Sequence, residues 1–162
     1  MNIYLIGLPG VGKSTIGKQL AERIGYEFVD LDQYIEQQAM LFVDEIFHLY
    51  GEPYFRALET NALKDFKGKD RVVIACGGGI IKDRKNKDWM EGICIYLSAP
   101  LSVIQERLDE SLVERPILSQ KSLEVLYEER KEAYAYFKDM EISATTPEAT
   151  LEAIVQGIGE TK

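Results

Sequence analysis

Short runs of consecutive apolar residues alternate with stretches in which apolar positions recur every three or four residues. Residues 2–6 (Asn-Ile-Tyr-Leu-Ile) predict a strand, and Ile16, Leu20, Ala21 and Ile24 follow at helical spacing, predicting a helix over 15–24. Residues 26–31 predict a second strand with an acidic end. Residues 33–49 and 54–66 predict two helices parted by Gly51-Glu52-Pro53. Further strands are predicted at 71–76, 92–97 and Met140–Ser143, and further helices at 100–108, 122–138 and 147–158. Residues 82–89 are polar and read as a loop or short helix. Residues 109–120 lack a pattern and are the expected lid. Strands that are apolar at every position need cover on both faces, so the expected fold is α/β: a three-layer α/β/α arrangement around a five-stranded parallel sheet. No repeat, linker or low-complexity tract divides residues 1–162, so a single domain is expected.

The turn between the first strand and the first helix carries the strongest chemical signal. Gly7, Gly12, Lys13 and Ser14 fit the phosphate-loop spacing G-x-x-x-x-G-K-S/T. Glycines let the backbone come close to a ligand and aim successive N–H groups at phosphate oxygens, beside the positive end of the following helix. Lys13 would reach the β- and γ-phosphates, and the Ser14 hydroxyl would hold Mg²⁺.

Composition narrows the partners. The chain has a formal net charge of -8 and a pI near 4.8, with no Lys/Arg run, so a nucleic-acid groove is not expected. An anionic ligand must then be held by a few local cations and backbone donors. Cys76 and Cys94 lie in apolar runs and read as buried free thiols, and His48 stands alone. No apolar run reaches about 18 residues and no basic segment leads into one, so neither a membrane span nor a signal peptide is expected, and the expected location is the cytoplasm.

Other chemistry-bearing residues fall where the strands end, the usual ligand-binding edge of such sheets. Asp30 and Asp32, two apart, would point to one side of a strand and could serve a Mg²⁺ ion and a substrate hydroxyl. Alternatively Asp32 caps the next helix. Arg56 and Glu59, at i and i+3, can form a plain surface pair or an oriented fork for a substrate carboxylate. Gly77-Gly78-Gly79 offers bare backbone to a ligand or simply makes a permissive turn. Arg115, before Pro116, could close over phosphates or stay solvated. Arg130, on a charge-rich helix, reads by itself as part of a solvated face.

Together these segments resemble the shikimate kinases, in order and spacing over nearly the whole chain. The resemblance is carried by GLPGVGKSTIG, FVDLDQYIE, EIFHLYGEPYFRALE, VVIACGGG, ERPIL and LYEERKEAY. It implies a phosphate-loop kinase fold and MgATP-dependent phosphorylation of the 3-hydroxyl of shikimate, in aromatic amino acid biosynthesis. It assigns Gly10, Val11, Gly12, Lys13, Ser14 and Thr15 to ATP, with Arg107 on the adenine and Pro147 in an adenine loop. Asp32 would orient the acceptor hydroxyl and take its proton. Asp30 and Ser14 would serve Mg²⁺. Arg56 and Arg130 would grip the shikimate carboxylate, Gly77, Gly78 and Gly79 would line the pocket, and Arg115 would close with the lid. A substrate-binding helical segment is expected over about 32–60, and a monomer is expected. The family's usual Gly-x-Ser/Thr after the D-x-D helix is replaced by Met40 and Phe42, and Ile117 stands for a usual leucine. Thr145-Thr146 lacks the Arg or Asn often seen before the adenine-loop proline. The rival readings are a kinase for another sugar acid or a nucleotide, a nucleotide-binding switch, and a non-catalytic binder. The switch is disfavoured because Asn86-Lys87-Asp88-Trp89 puts Trp where a guanine-reading Asp would stand.

Overall fold

The structure, a computed structural model, describes residues 1–110 and 122–160. The order of elements is β1 (Asn2–Ile6), α1 (Lys13–Ile24), β2 (Glu27–Asp30), α2 (Leu31–Ala39), α3 (Val43–Tyr50) and α4 (Glu52–Asp65). β3 (Val72–Ala75) leads into two 3₁₀ turns, Gly78–Lys82 and Arg84–Trp89, and then come β4 (Gly92–Ser98), α5 (Leu101–Glu110), α6 (Leu123–Phe137), β5 (Met140–Ser143) and α7 (Pro147–Glu160). The described strands form one parallel sheet ordered β2-β3-β1-β4-β5. Every residue of β1 and β3 is buried, so both faces of the central strands are covered. The main cluster of apolar side chains runs through these strands into Leu20, Leu63, Phe137 and Ile154.

Helix ends follow local chemistry. α1 starts after Gly12, whose φ of 104 lies in the left-handed region, and stops at Gly25, with φ 73. α6 is capped at its start by Ser122, whose hydroxyl accepts from the Val125 N–H. At its other end Lys87 donates to the Phe137 carbonyl at 2.6 Å. The buried face of α6 reads Leu123, Leu126, Arg130, Tyr134 and Phe137, a helical stripe that takes Arg130 inward.

The sequence-based reading is corrected in three places. Residues 33–49 are not one helix: the chain breaks at Met40, which is in the left-handed region with φ 57. Met-Leu-Phe at 40–42 carries no Gly or Pro, so periodicity alone could not show the break. The start of α3 has no Ser/Thr cap; instead Glu45 accepts from Phe42 N–H at 3.0 Å and Glu36 from Val43 N–H at 2.9 Å. The second strand stops at Asp30, and Leu31 opens α2. Of the expected lid, residues 109 and 110 belong to α5, and the rest, Arg115 included, lies outside the described residues.

Candidate active site

The carboxyl ends of β1, β2 and β3 open into one cleft of about 860 Å³. The loop after β1 supplies Gly10, Gly12, Lys13, Ser14 and Thr15 to its wall. Lys13 Nζ donates to the carbonyls of Gly7 at 2.7 Å and Leu8 at 3.1 Å, which folds the ammonium back over its own loop. Val11 is buried behind the loop, and its carbonyl accepts from Arg107 Nη1 at 2.8 Å. Arg107 also donates to the Thr145 carbonyl at 3.2 Å, so α5 ties the phosphate loop to the segment leading into α7. Pro147 itself is not part of the cleft wall.

Asp30 and Asp32 do not share a strand face. Asp30 is the cap of α2, its carboxylate accepting from Gln33 N–H at 3.1 Å, and Asp32 lies in the first turn of that helix. The backbone bend at the cap separates their tasks. Asp30 Oδ2 accepts from Ser14 Oγ at 2.5 Å, which joins the acidic turn to the end of the phosphate loop. Asp32 is sunk in the cleft, with Oδ1 buried and without a hydrogen-bond partner. Burial, and then the charge of Asp30, push its carboxyl up to about 6, against the pull of Lys13 and Arg56.

The opposite wall comes from α4 and α6. Arg56 Nη1 donates to Glu59 Oε1 at 2.6 Å, while its Nε and Nη2 donate to Glu52 Oε1 at 3.2 and 3.1 Å. The rings of Phe55 and Phe47 stand 5.4 and 5.9 Å from the guanidinium. Glu59 is fully buried, and its second oxygen has no partner. Burial raises its carboxyl to about 7, with Asp32 adding to the rise and Arg56 and Arg130 opposing it. Arg130 is 3 % exposed, and its Nε and Nη1 have no hydrogen-bond partner. Buried polar atoms without a protein partner are rare in folded proteins, and those of Asp32, Glu59 and Arg130 cluster in residues that line the cleft.

Gly77, Gly78 and Gly79 form the floor between these walls. A Cβ at Gly77 would fall 2.7 Å from Asp32 Oδ1 and 3.1 Å from Glu59 Oε2, and one at Gly78 would fall 2.7 Å from Arg130 Nη1. A Cβ at Gly79 would overlap the Arg56 guanidinium. Each glycine is therefore needed for a different charged group to reach the backbone. The cleft brings together every site residue predicted above except Val11 and Pro147, which lie off its wall, and Arg115, which is not described.

Several cleft residues were not singled out in the sequence. Glu52 shares the Arg56 face at i,i+4, a spacing that could have marked it. Phe47 and Val43 sit on α3, whose existence the merged helix concealed. Arg130, named above through the resemblance but read by itself as solvated, sits four residues from both Leu126 and Tyr134, so the apolar stripe signals its inward face.

Ser14 and Asp30 are hard oxygen donors beside the phosphate loop, and they fit Mg²⁺, which keeps several waters and takes one or two protein oxygens plus phosphates. Among the described residues no group of three or more His, Cys, Asp or Glu side chains forms a cage that would hold a metal without a substrate. No described helix is long and apolar enough to cross a membrane.

A family model for shikimate kinase matches residues 9–161. The shikimate kinase of Persephonella marina is 43% identical over 138 residues, covering 83% of this chain and 84% of the relative. That of Alkaliphilus oremlandii is 38% identical over 162 residues, covering 97% of this chain and 96% of the relative. Among solved structures, shikimate kinase from Acinetobacter baumannii in complex with shikimate superposes with a TM-score of 0.87 at 32% identity, covering 99% of this chain and 94% of that one.

Proposed function

The chain belongs to the shikimate kinase family of ATP-using kinases, and on that premise we propose how its own residues divide the phosphorylation of shikimate at the 3-hydroxyl. The observation that carries the reading is the buried set of unpartnered atoms around the triglycine floor: Asp32 Oδ1, Glu59 Oε2, and Arg130 Nε and Nη1. Such a pocket suits an acceptor with a carboxylate at one end and a hydroxyl at the other, the hydroxyl next to the phosphate loop.

Arg56 and Arg130 hold the acceptor carboxylate, Arg56 being fixed by Glu59 and Glu52. Asp32 receives the hydrogen bond of the acceptor hydroxyl and takes its proton as the oxygen attacks. The bond from that oxygen to the γ-phosphorus forms, the bond from the γ-phosphorus to the β–γ bridging oxygen breaks, and ADP leaves with the bridging electron pair. The Gly10–Thr15 N–H groups and Lys13 bind and orient the phosphates, for which Lys13 must leave the loop carbonyls. Arg107 and the Pro147 segment border the adenine, and Arg115 belongs to the lid that excludes water. Ser14 and Asp30 would hold Mg²⁺, which supplies charge neutralisation at the β- and γ-phosphates when bound. The protein works in the cytoplasm, as a monomer.

The direct test is ADP release from MgATP with shikimate, run beside gluconate, AMP and no acceptor. Release with shikimate alone is the expected result. Release with gluconate or AMP instead would overturn the acceptor assignment while leaving the phosphate loop in its role.

A further inference from the structure

Asn86 lies in the second 3₁₀ turn, away from the cleft, and is 3 % exposed. Its carboxamide joins two walls of the cleft. Nδ2 donates to the carbonyl of Ile80 at 2.8 Å, one residue past the triglycine floor. Oδ1 accepts from the hydroxyl of Thr60 at 2.8 Å, one turn along α4 from Arg56. Thr60 Oγ1 also lies 3.2 Å from the Arg56 carbonyl.

The orientation is fixed by chemistry. The Ile80 carbonyl can only accept, so the amide nitrogen must face it; the amide oxygen then faces Thr60, whose hydroxyl must donate. The result is a closed circuit: Thr60 on α4, Asn86, Ile80, Gly79, and back through the Arg56 guanidinium that rests on Gly79 to α4 itself, the single Thr60 hydrogen going to Asn86. Apolar side chains could fill this space, but they would allow α4 and the 3₁₀ turn to slide past one another. A satisfied buried amide permits one register.

We propose that Asn86, held by Thr60, is a positioning residue for the acceptor pocket, locking the triglycine floor to α4 and so setting where the Arg56 guanidinium stands. The proposal rests on the reading of Arg56 as the grip on the acceptor carboxylate.

The test uses the whole chain and four variants: Thr60→Val, Thr60→Ser, Asn86→Asp and Asn86→Leu. Shikimate affinity is read by calorimetry, and KM for shikimate and for MgATP by steady-state kinetics. Thr60→Val keeps the shape but removes the donor. It is expected to raise shikimate Kd and KM about five- to tenfold, the equivalent of one net hydrogen bond, and to leave KM for MgATP within about twofold. Thr60→Ser is expected to restore the unaltered values, because it keeps the hydroxyl. Asn86→Asp and Asn86→Leu, both of which lose the donor to Ile80, are expected to follow Thr60→Val.

A lowered melting temperature with shikimate Kd unchanged would overturn the proposal, and so would an equal rise in both KM values. If the Asn86 variants do not fold, the Thr60→Val and Thr60→Ser pair decides it alone. Failure of the unaltered protein to bind shikimate would overturn the acceptor reading and this inference together; binding that Thr60→Val leaves untouched overturns this inference only.

Discussion

The guanidinium of Arg56 rests against the backbone of Gly79 so closely that a side chain at position 79 would occupy its place. Gly79→Ala is therefore expected to push Arg56 aside and weaken its pairing with Glu59. The loss should be about 1–3 kcal/mol of acceptor binding. Arg56→Ala should cost more, about 2–5 kcal/mol, because it removes the charged pair to the acceptor carboxylate outright. Calorimetric titration with shikimate checks both, and an unchanged affinity in Arg56→Ala would refute the carboxylate assignment.

The buried carboxyl of Asp32 can take a proton only when it is ionised. Its pKa is raised to about 6, and that of neighbouring Glu59 to about 7, so the two titrate as a pair. kcat/KM for shikimate is expected to rise from pH 5 to pH 7 and then level. Asp32→Asn should lower kcat by about 10²- to 10⁴-fold. A flat pH profile from pH 5 to pH 8 would count against proton transfer to this pair.

Stability should run the other way with pH. Glu59 holds its proton more tightly folded than unfolded, so its contribution is complete below the ordinary carboxylate range near pH 4.5 and is lost as pH rises through about 7. The slope from this group is at most about 1.4 kcal/mol per pH unit. Glu59→Gln cannot ionise and still accepts from Arg56, so its melting temperature should vary less between pH 5 and pH 7.5. Parallel curves for the two proteins would contradict the assignment.

Met40 is 89 % exposed and left-handed, a conformation that costs an L-residue roughly 1–2 kcal/mol. Met40→Gly removes the strain but loosens the unfolded chain, for a net gain of about 0.5–1 kcal/mol. Denaturant unfolding checks this, the expected sign being a higher midpoint. A lower midpoint would mean that the side chain is held by contacts outweighing the backbone strain.

Much of this architecture was legible in the chain because fully apolar strands such as Val72–Ala75 admit few readings, and the phosphate loop is a local pattern. The failures have physical causes. Asp30 reads as a strand residue until its carboxylate is seen to cap α2, an event decided by one backbone bend. The merged helix over 33–49 hid the break at Met40, since residues 40–42 carry no Gly or Pro and the start of α3 is capped by Glu36, seven residues before Val43, and not by a Ser or Thr beside it. Arg130 looked solvated among Glu128, Glu129 and Lys131, yet its neighbours one turn away, Leu126 and Tyr134, carry it inward. Asn86 had no local signal at all, because its two partners lie 6 and 26 residues away.

The phosphate loop leaves β1 and the triglycine floor leaves β3, and these strands are adjacent and paired Ile3↔Val73, Tyr4↔Ile74 and Leu5↔Ala75. The ladder runs on through Cys76 N–H to the Leu5 carbonyl at 3.0 Å. Donor and acceptor sites therefore start one strand spacing apart, about 4.8 Å, a length set by backbone hydrogen bonds common to all residue types. Such a ruler is inherited unchanged when side chains drift. α2, α3 and α4 can therefore vary the shape of the pocket while the two strand ends that carry the phosphate loop and the triglycine floor keep their spacing.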